Sequence, residues 1–352
     1  MMRIRWRVNQ PSGLAEYGRT RVRSLLSAQD IKGIVAIMPT PVVDGADSWD
    51  ARGVVDLDEA ARGADRLVSD GIDCLLVNGT FGEAATLMWD ELQAFSEAVT
   101  LAVAGRVPVF LGATTLNTRD TVERGRYFRD LGAQGLFLGR PMWCTMSDEM
   151  IVRFYADVAE ALPDMNILVY DNHEAFKGKI STEVYRQISM IPNVVASKYR
   201  SVLAAMSTDN LVADLRAVEG RMKLLPHDAD WYYAARWFPD EVDGCWSSGV
   251  AAGPEPVVAL KRAIEAADWE QARQIAEDIY WAYEGFFPGG SFVEFHTHNI
   301  AIQKARFDAA GYIKAGPALP PYHVTPAPIL DSARQCGVRW RQLRERYGPV
   351  GS

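Results

Sequence analysis

The chain reads as a (β/α)8 barrel with a C-terminal helical appendage, and three observations predict it. Short, near-continuous apolar runs recur along the first 250 residues, amphipathic helical stretches separate them, and the strand pattern stops at Pro254. Apolar runs without polar alternation suit parallel strands buried on both faces. Eight such β-then-α units fit a closed barrel better than an open sheet. No GxGxxG of a dinucleotide-binding opening is present, and no internal repeat suggests a solenoid.

The expected strands are IVAIM (34–38), DCLLVN (73–78), VPVFLGA (107–113), GLFLG (135–139), NILVYDN (166–172), VVASK (194–198), MKLLP (222–226) and VDGCWS (242–247). Between them, Leu57 to Asp70 and Trp89 to Val103 carry helical patterns, and Ser147 followed by Asp148 and Glu149 marks a helix start before MIVRFYADVAEAL. Pro192 and Asn193 close a helix ahead of the sixth strand. After Pro254 come PVVALKRAIEAA, WEQARQIAEDIYWAYEGFF and FHTHNIAIQKARFDAAG, a proline-rich stretch from Gly316 to Pro328, and a last helix near Ser332–Tyr347. This divides the chain into an arm (1–30), a barrel holding the active site (31–255) and a helical extension (256–352).

With 352 residues, 48% of them apolar, the chain can bury a large core. A net charge of −8 argues against a general nucleic-acid binder. No apolar run approaches the roughly 20 residues that span a bilayer, and the basic N-terminus lacks a secretory apolar region, so a cytoplasmic protein is expected. Cys74, Cys144, Cys245 and Cys336 form no CxxC or CxxH pair, which points to reduced thiols and no zinc site. His296 and His298 stand at i, i+2 and cannot share a helix face, so no metal pair is read there.

In a barrel, side chains at the C-terminal ends of the strands converge on one mouth, where catalysis occurs. Lys198 ends the apolar strand VVASK, so its amine projects into the barrel, where desolvation lowers a lysine pKa and frees a nucleophile for a ketone. Position alone leaves open a lysine that snorkels to solvent or pairs with an acid. Tyr170 ends the preceding strand and can move protons beside Lys198, or can simply be a barrel aromatic with a satisfied hydroxyl. The turn GTFGE (79–83) can aim amides inward as a cradle for a carboxylate. Trp143, Trp246, Phe81 and Met142 together would make the mouth wide and apolar, though any one of them can be an ordinary core or rim side chain, and His227-Asp228, which could suggest a metal or base, reads as a structural step.

These residues together resemble the N-acetylneuraminate lyase and dihydrodipicolinate synthase superfamily of pyruvate aldolases. The resemblance spans about 31–310 and rests on PTP (39–41), GTFGE, the Tyr170 and Lys198 strands and the 28 residues between them. It implies a class I aldolase in which Lys198 forms the Schiff base, Tyr170 transfers protons, and Thr80, Gly79 and the Phe81 N–H hold the pyruvyl carboxylate. Three departures stand out: Phe81 replaces a threonine, Met142-Trp143 replaces a tyrosine pair, and Ala175 occupies the position of the synthases' arginine. The chain is similar in particular to the hydratase-aldolase branch acting on ortho-substituted benzylidenepyruvates, through PMW, EAFK, SKY, LPHDAD, WSSG, NIAIQKAR and AGPALPPY. That similarity implies hydration and retro-aldol cleavage to an aromatic aldehyde and pyruvate, with no metal or cofactor.

In this reading Asn172 orients water or the C4 hydroxyl, Trp143 and Trp246 flank the aryl ring, Ser247 belongs to the substrate site, and Asn299 reaches in from the extension. Arg200, unless it points outward to solvent, and His173 tilt the expectation slightly toward trans-2-carboxybenzalpyruvate over the ortho-hydroxy substrate that gives salicylaldehyde. Other readings are a different 2-keto acid synthase or dehydratase, and a non-catalytic binding barrel. The expected partners are the aromatic 2-keto acid, pyruvate and further copies of the chain, as a dimer or tetramer.

Overall fold

The computed structural model describes residues 24–199 and 208–348. Eight parallel strands run in the order expected of a barrel: β1 (Gly33–Ile37), β2 (Cys74–Val77), β3 (Val109–Gly112), β4 (Gly135–Leu138), β5 (Asn166–Tyr170), β6 (Val194–Lys198), β7 (Lys223–Leu225) and β8 (Gly244–Ser247). Each pairs with its neighbours in sequence, and β1 also pairs with β8. A parallel bridge between His227 and Trp246 closes the ring, with the Trp246 N–H donating to the Pro226 carbonyl over 2.8 Å. Every strand except β7 is buried along its whole length, which is why the runs carry no polar alternation.

The outer ring comprises α1 (Leu57–Ser69), α2 (Trp89–Val103), α3 (Thr118–Leu131), α4 (Asp148–Ala161), α5 (Thr182–Ile188), α6 (Thr208–Val218), α7 (Asp228–Trp237) and α8 (Glu255–Glu265). Short polar side chains start them, as at Asp56, Asn117 and the expected Ser147, each accepting a backbone N–H of the first turn. The eighth helix extends past residue 255, where the strand pattern ends, because a β/α unit is complete only with its helix. Lys261 of α8 is fixed to the Asp73 carboxylate at 2.7 and 2.8 Å, and Asp73 in turn accepts the Ile34 N–H of β1.

Beyond the ring lie α9 (Trp269–Ala282), α10 (Phe292–Ala310) and α11 (Ala327–Tyr347). The last helix begins five residues earlier than expected, since Pro328 sits in its first turn, where a missing N–H costs nothing. In α10, Ile300 to Lys304 are all buried, so the helix has no polar face over this stretch. It is wedged between the barrel and α11, with which it makes its most extensive contact. The first 23 residues of the arm lie outside the described residues. Its end is tied to β5, where the Asn166 side chain exchanges two hydrogen bonds with the Leu26 backbone. Among the described residues, no helix is long and apolar enough to cross a membrane.

Candidate active site

The register of β5 on β6 sets Tyr170 directly opposite Lys198. Neighbours along a strand face opposite ways, so paired residues share a face. The outward residue Ser197 accordingly lies 3.2 Å from the Tyr185 hydroxyl of α5, while Lys198 turns into the barrel. Its Nζ lies 3.5 Å from the centre of the Trp246 ring and 5.1 Å from that of Tyr170. Burial disfavours the ammonium and pushes its pKa down to about 7, against the pull of the nearby Asp171 carboxylate. Burial therefore favours the free amine, the nucleophilic form.

The Tyr170 ring stacks on Phe137 at 4.3 Å and meets Phe176 edge-on. Its hydroxyl shares a 2.7 Å hydrogen bond with that of Thr80 and accepts one from Asn172 Nδ2 at 3.4 Å. Asn172 also caps its own turn through Oδ1, which accepts the Ala175 N–H. Lysine, tyrosine, threonine and asparagine thus converge on one end of the barrel from the ends of β6, β5 and β2.

The turn after β2 is tightly drawn. Asn78 and Glu83 both adopt left-handed backbone conformations, at φ 58° and 54°. For glutamate this costs about 1 kcal/mol or more. A Cβ at Gly82 would lie 2.8 Å from the Gly79 nitrogen, and one at Gly79 would lie 3.1 Å from the Phe137 ring. Only glycine fits at Gly82 without opening the turn. Phe81 packs against Phe307 of α10, so its contribution to a ligand would be its backbone N–H.

Beneath Lys198, Trp246 donates its indole N–H to the Tyr199 carbonyl and meets the His227 ring at 4.5 Å. Burial and the charges of Lys198 and Arg306 push the His227 pKa down to about 4, with Asp228 opposing, so its imidazole is neutral at pH 7. Tyr283 links His227 and Asp228 to the extension.

Two expected substrate contacts are placed elsewhere. Ser247 follows Trp246 along β8 and so faces the opposite way: fully buried, it donates to Asp228 and accepts the Val250 N–H. Trp143 lies in the loop beyond β4; it is 76% exposed and lines a cleft of about 850 Å³ with Leu116 and Met150. Asn299 lies on α10, with its Oδ1 buried and lacking a hydrogen-bond partner. His296, one turn earlier on the same face, likewise has an unpartnered Nε2. The i, i+3 spacing to Asn299 was the signal that could have found it, masked by the comparison with His298. His173 stacks on Phe292 and meets the Glu174 carboxylate at 3.2 Å. Arg200 lies outside the described residues. Among those residues, no group of three or more His, Cys, Asp or Glu is placed to hold a metal ion.

A buried lysine amine with a lowered pKa, beside a phenol linked to a threonine hydroxyl at the mouth of a closed parallel barrel, is equipped for imine chemistry on a carbonyl compound. Comparison with known proteins agrees with that class: the chain belongs to the dihydrodipicolinate synthetase family, whose model matches residues 32–285. It is 48% identical over 322 residues to the trans-2'-carboxybenzalpyruvate hydratase-aldolase of a Nocardioides species, covering 92% of this chain and 96% of that one. It is 45% identical over 325 residues to the trans-O-hydroxybenzylidenepyruvate hydratase-aldolase of Sphingobium xenophagum, covering 91% and 97%. Among solved structures, PhdJ bound to a substrate intermediate matches with a TM-score of 0.90 and 51% identity, over 93% of this chain and 100% of that one.

Proposed function

We propose that this protein is a class I hydratase-aldolase that converts an ortho-substituted trans-benzylidenepyruvate and water into an aromatic aldehyde and pyruvate. The observation that carries the reading is the Lys198 amine, held near neutrality over Trp246 and within the reach of Tyr170. The relatives at 48% and 45% identity support the substrate class. A buried lysine with a lowered pKa at a strand end favours this reading over a non-catalytic barrel.

Lys198 attacks the C2 ketone, and loss of water leaves an iminium conjugated with the C3–C4 double bond. Tyr170 supplies and removes the protons of the carbinolamine, with Thr80 as the hydrogen-bonded neighbour that passes them on or fixes the phenol. Water adds at C4, oriented by Asn172, which sends the C3–C4 π electrons into an enamine; a proton taken up at C3 then restores the iminium and leaves a C4 hydroxyl. Its proton leaves as the C3–C4 bond breaks, the aldehyde departs, and the bonding electrons pass into the enamine. Protonation at C3 and hydrolysis return pyruvate and the free amine. The turn Gly79-Thr80-Phe81 holds the carboxylate, and Asn299 with its unpartnered Oδ1 meets the substrate from the extension.

Within this class the ortho-carboxylate substrate is placed first, in line with the higher identity to the carboxybenzalpyruvate enzyme. The ortho-hydroxy compound is the second reading. The enzyme works without metal or cofactor, in the cytoplasm, and as a homo-oligomer. The exposed apolar face of Trp143, Leu116 and Met150 supports assembly of copies.

Borohydride reduction in the presence of pyruvate tests the chemistry: one covalent adduct is expected on Lys198, and none in Lys198→Ala or Lys198→Arg. An adduct of equal yield in either variant refutes the mechanism. Loss of the arylidene absorbance with the ortho-carboxylate and ortho-hydroxy substrates then ranks the two.

A further inference from the structure

A fully buried ion pair joins the C-terminal extension to the turn after β2. Lys304 of α10 lies 3.1 Å from Glu83 Oε2, with side chains 1% and 0% exposed. The other Glu83 oxygen accepts the Leu319 N–H at 2.7 Å, from the segment that follows α10. Lys304 also donates to the Thr40 carbonyl at 3.2 Å, and the Thr40 hydroxyl donates to the Gly82 carbonyl at 2.7 Å. The end of β1, the turn after β2 and the extension therefore meet on two opposite charges.

Such a pair is an expensive way to fill space, because desolvation of two ions offsets most of their attraction. Here burial raises the Glu83 pKa and lowers that of Lys304, each opposed by the other's charge. What the pair does supply is direction. It holds Glu83 in a left-handed conformation at the very end of the turn, and through Thr40 it also holds Gly82. Asn299 lies on the same helix, so one rigid element registers both the turn and a second candidate ligand contact.

We propose that Glu83 and Lys304 are positioning residues: the ion pair sets the Gly79–Phe81 turn for the substrate carboxylate, so that selection for a 2-keto acid depends on the C-terminal extension. This rests on the Schiff-base reading above. Neither residue touches substrate; both act through the backbone of the turn.

The test compares pyruvate with methyl pyruvate, which keeps the ketone and lacks the charge, by the rate of borohydride-trapped adduct on Lys198. Glu83→Gln/Lys304→Met removes both charges together, so no lone ion is left buried, and thermal unfolding checks that it is folded. The preference for pyruvate over the ester is expected to fall roughly tenfold or more, the worth of one charge-assisted hydrogen bond, while the ester's own rate holds within about threefold. In the cleavage direction KM should rise more than kcat falls. A preference unchanged in the folded double variant, or equal losses for acid and ester, reduces the pair to a structural tie and overturns the proposal. No adduct in the wild type would instead refute the Schiff-base reading, and this proposal with it.

Discussion

Acidity at Lys198 can be tested on two independent axes. An ordinary lysine, near 10.5, presents about 0.03% free amine at pH 7; a pKa of about 7 presents half, a gain of more than 1000-fold. The rate of pyruvate adduct formation should therefore climb tenfold per pH unit up to about 7 and then level off. The same shift acts on stability with a defined sign. Between pH 7 and 10.5 the unfolded chain holds a proton on this lysine that the folded one has released, so stability rises with pH across that window. Below pH 7 the native state bears the full cost, about 5 kcal/mol for a shift of this size. Lys198→Met, which leaves an apolar chain over Trp246, should be more stable than wild type at pH 6 by several kcal/mol. By pH 9 that advantage should shrink to about 2 kcal/mol. Urea unfolding at the two pH values and borohydride trapping from pH 5.5 to 9.5 measure both. A trapping rate still rising tenfold per unit at pH 9, or a stability difference independent of pH, would show that the amine is not perturbed and sink the argument.

Tyr170→Phe should leave pyruvate binding largely intact yet slow turnover by roughly 10²–10⁴-fold, the range for a positioned proton donor; near-wild-type turnover would hand the protons to water. His227 is held neutral, so acid should charge it at a cost: stability falls by about 3 kcal/mol as pH drops from 6.5 through 4. His227→Asn should flatten that part of the urea-midpoint profile, and an unchanged slope would assign the acid loss to other groups. Trp143→Ser should change monomer stability by less than about 0.5 kcal/mol, as for most exposed sites, while weakening self-association in sedimentation equilibrium. Unaltered association would exclude this face from the assembly.

Legibility differed by residue for physical reasons. Lys198 and Tyr170 were readable because each ends an apolar strand, and parallel register then sets them side by side. The direction of Ser247 was not legible, because a one-residue step along β8 reverses the face and strand ends in sequence are uncertain by about that much. The exposure of Trp143 was not legible, because loop residues inherit no direction from the strand before them. His227 reads in sequence only as a structural step, because its neutrality rests first on burial in the closed barrel and then on the charges of Lys198 and Arg306, which chain neighbours do not reveal.

What the sequence determined by itself was the alternation of buried strands and amphipathic helices, the capped helix starts, and the lysine and tyrosine at adjacent strand ends. These follow from local periodicity and from the rule that barrel strands converge at one mouth. Only the tertiary structure decided how the extension meets the barrel. Lys304 lies 221 residues from Glu83, in a helix whose sequence reads as uniformly mixed, and nothing local says which buried charge will find which. The lowered pKa of Lys198 is of the same kind. Desolvation is set by Trp246, Tyr170 and the closed ring around them, groups brought together only when the eighth strand returns to the first.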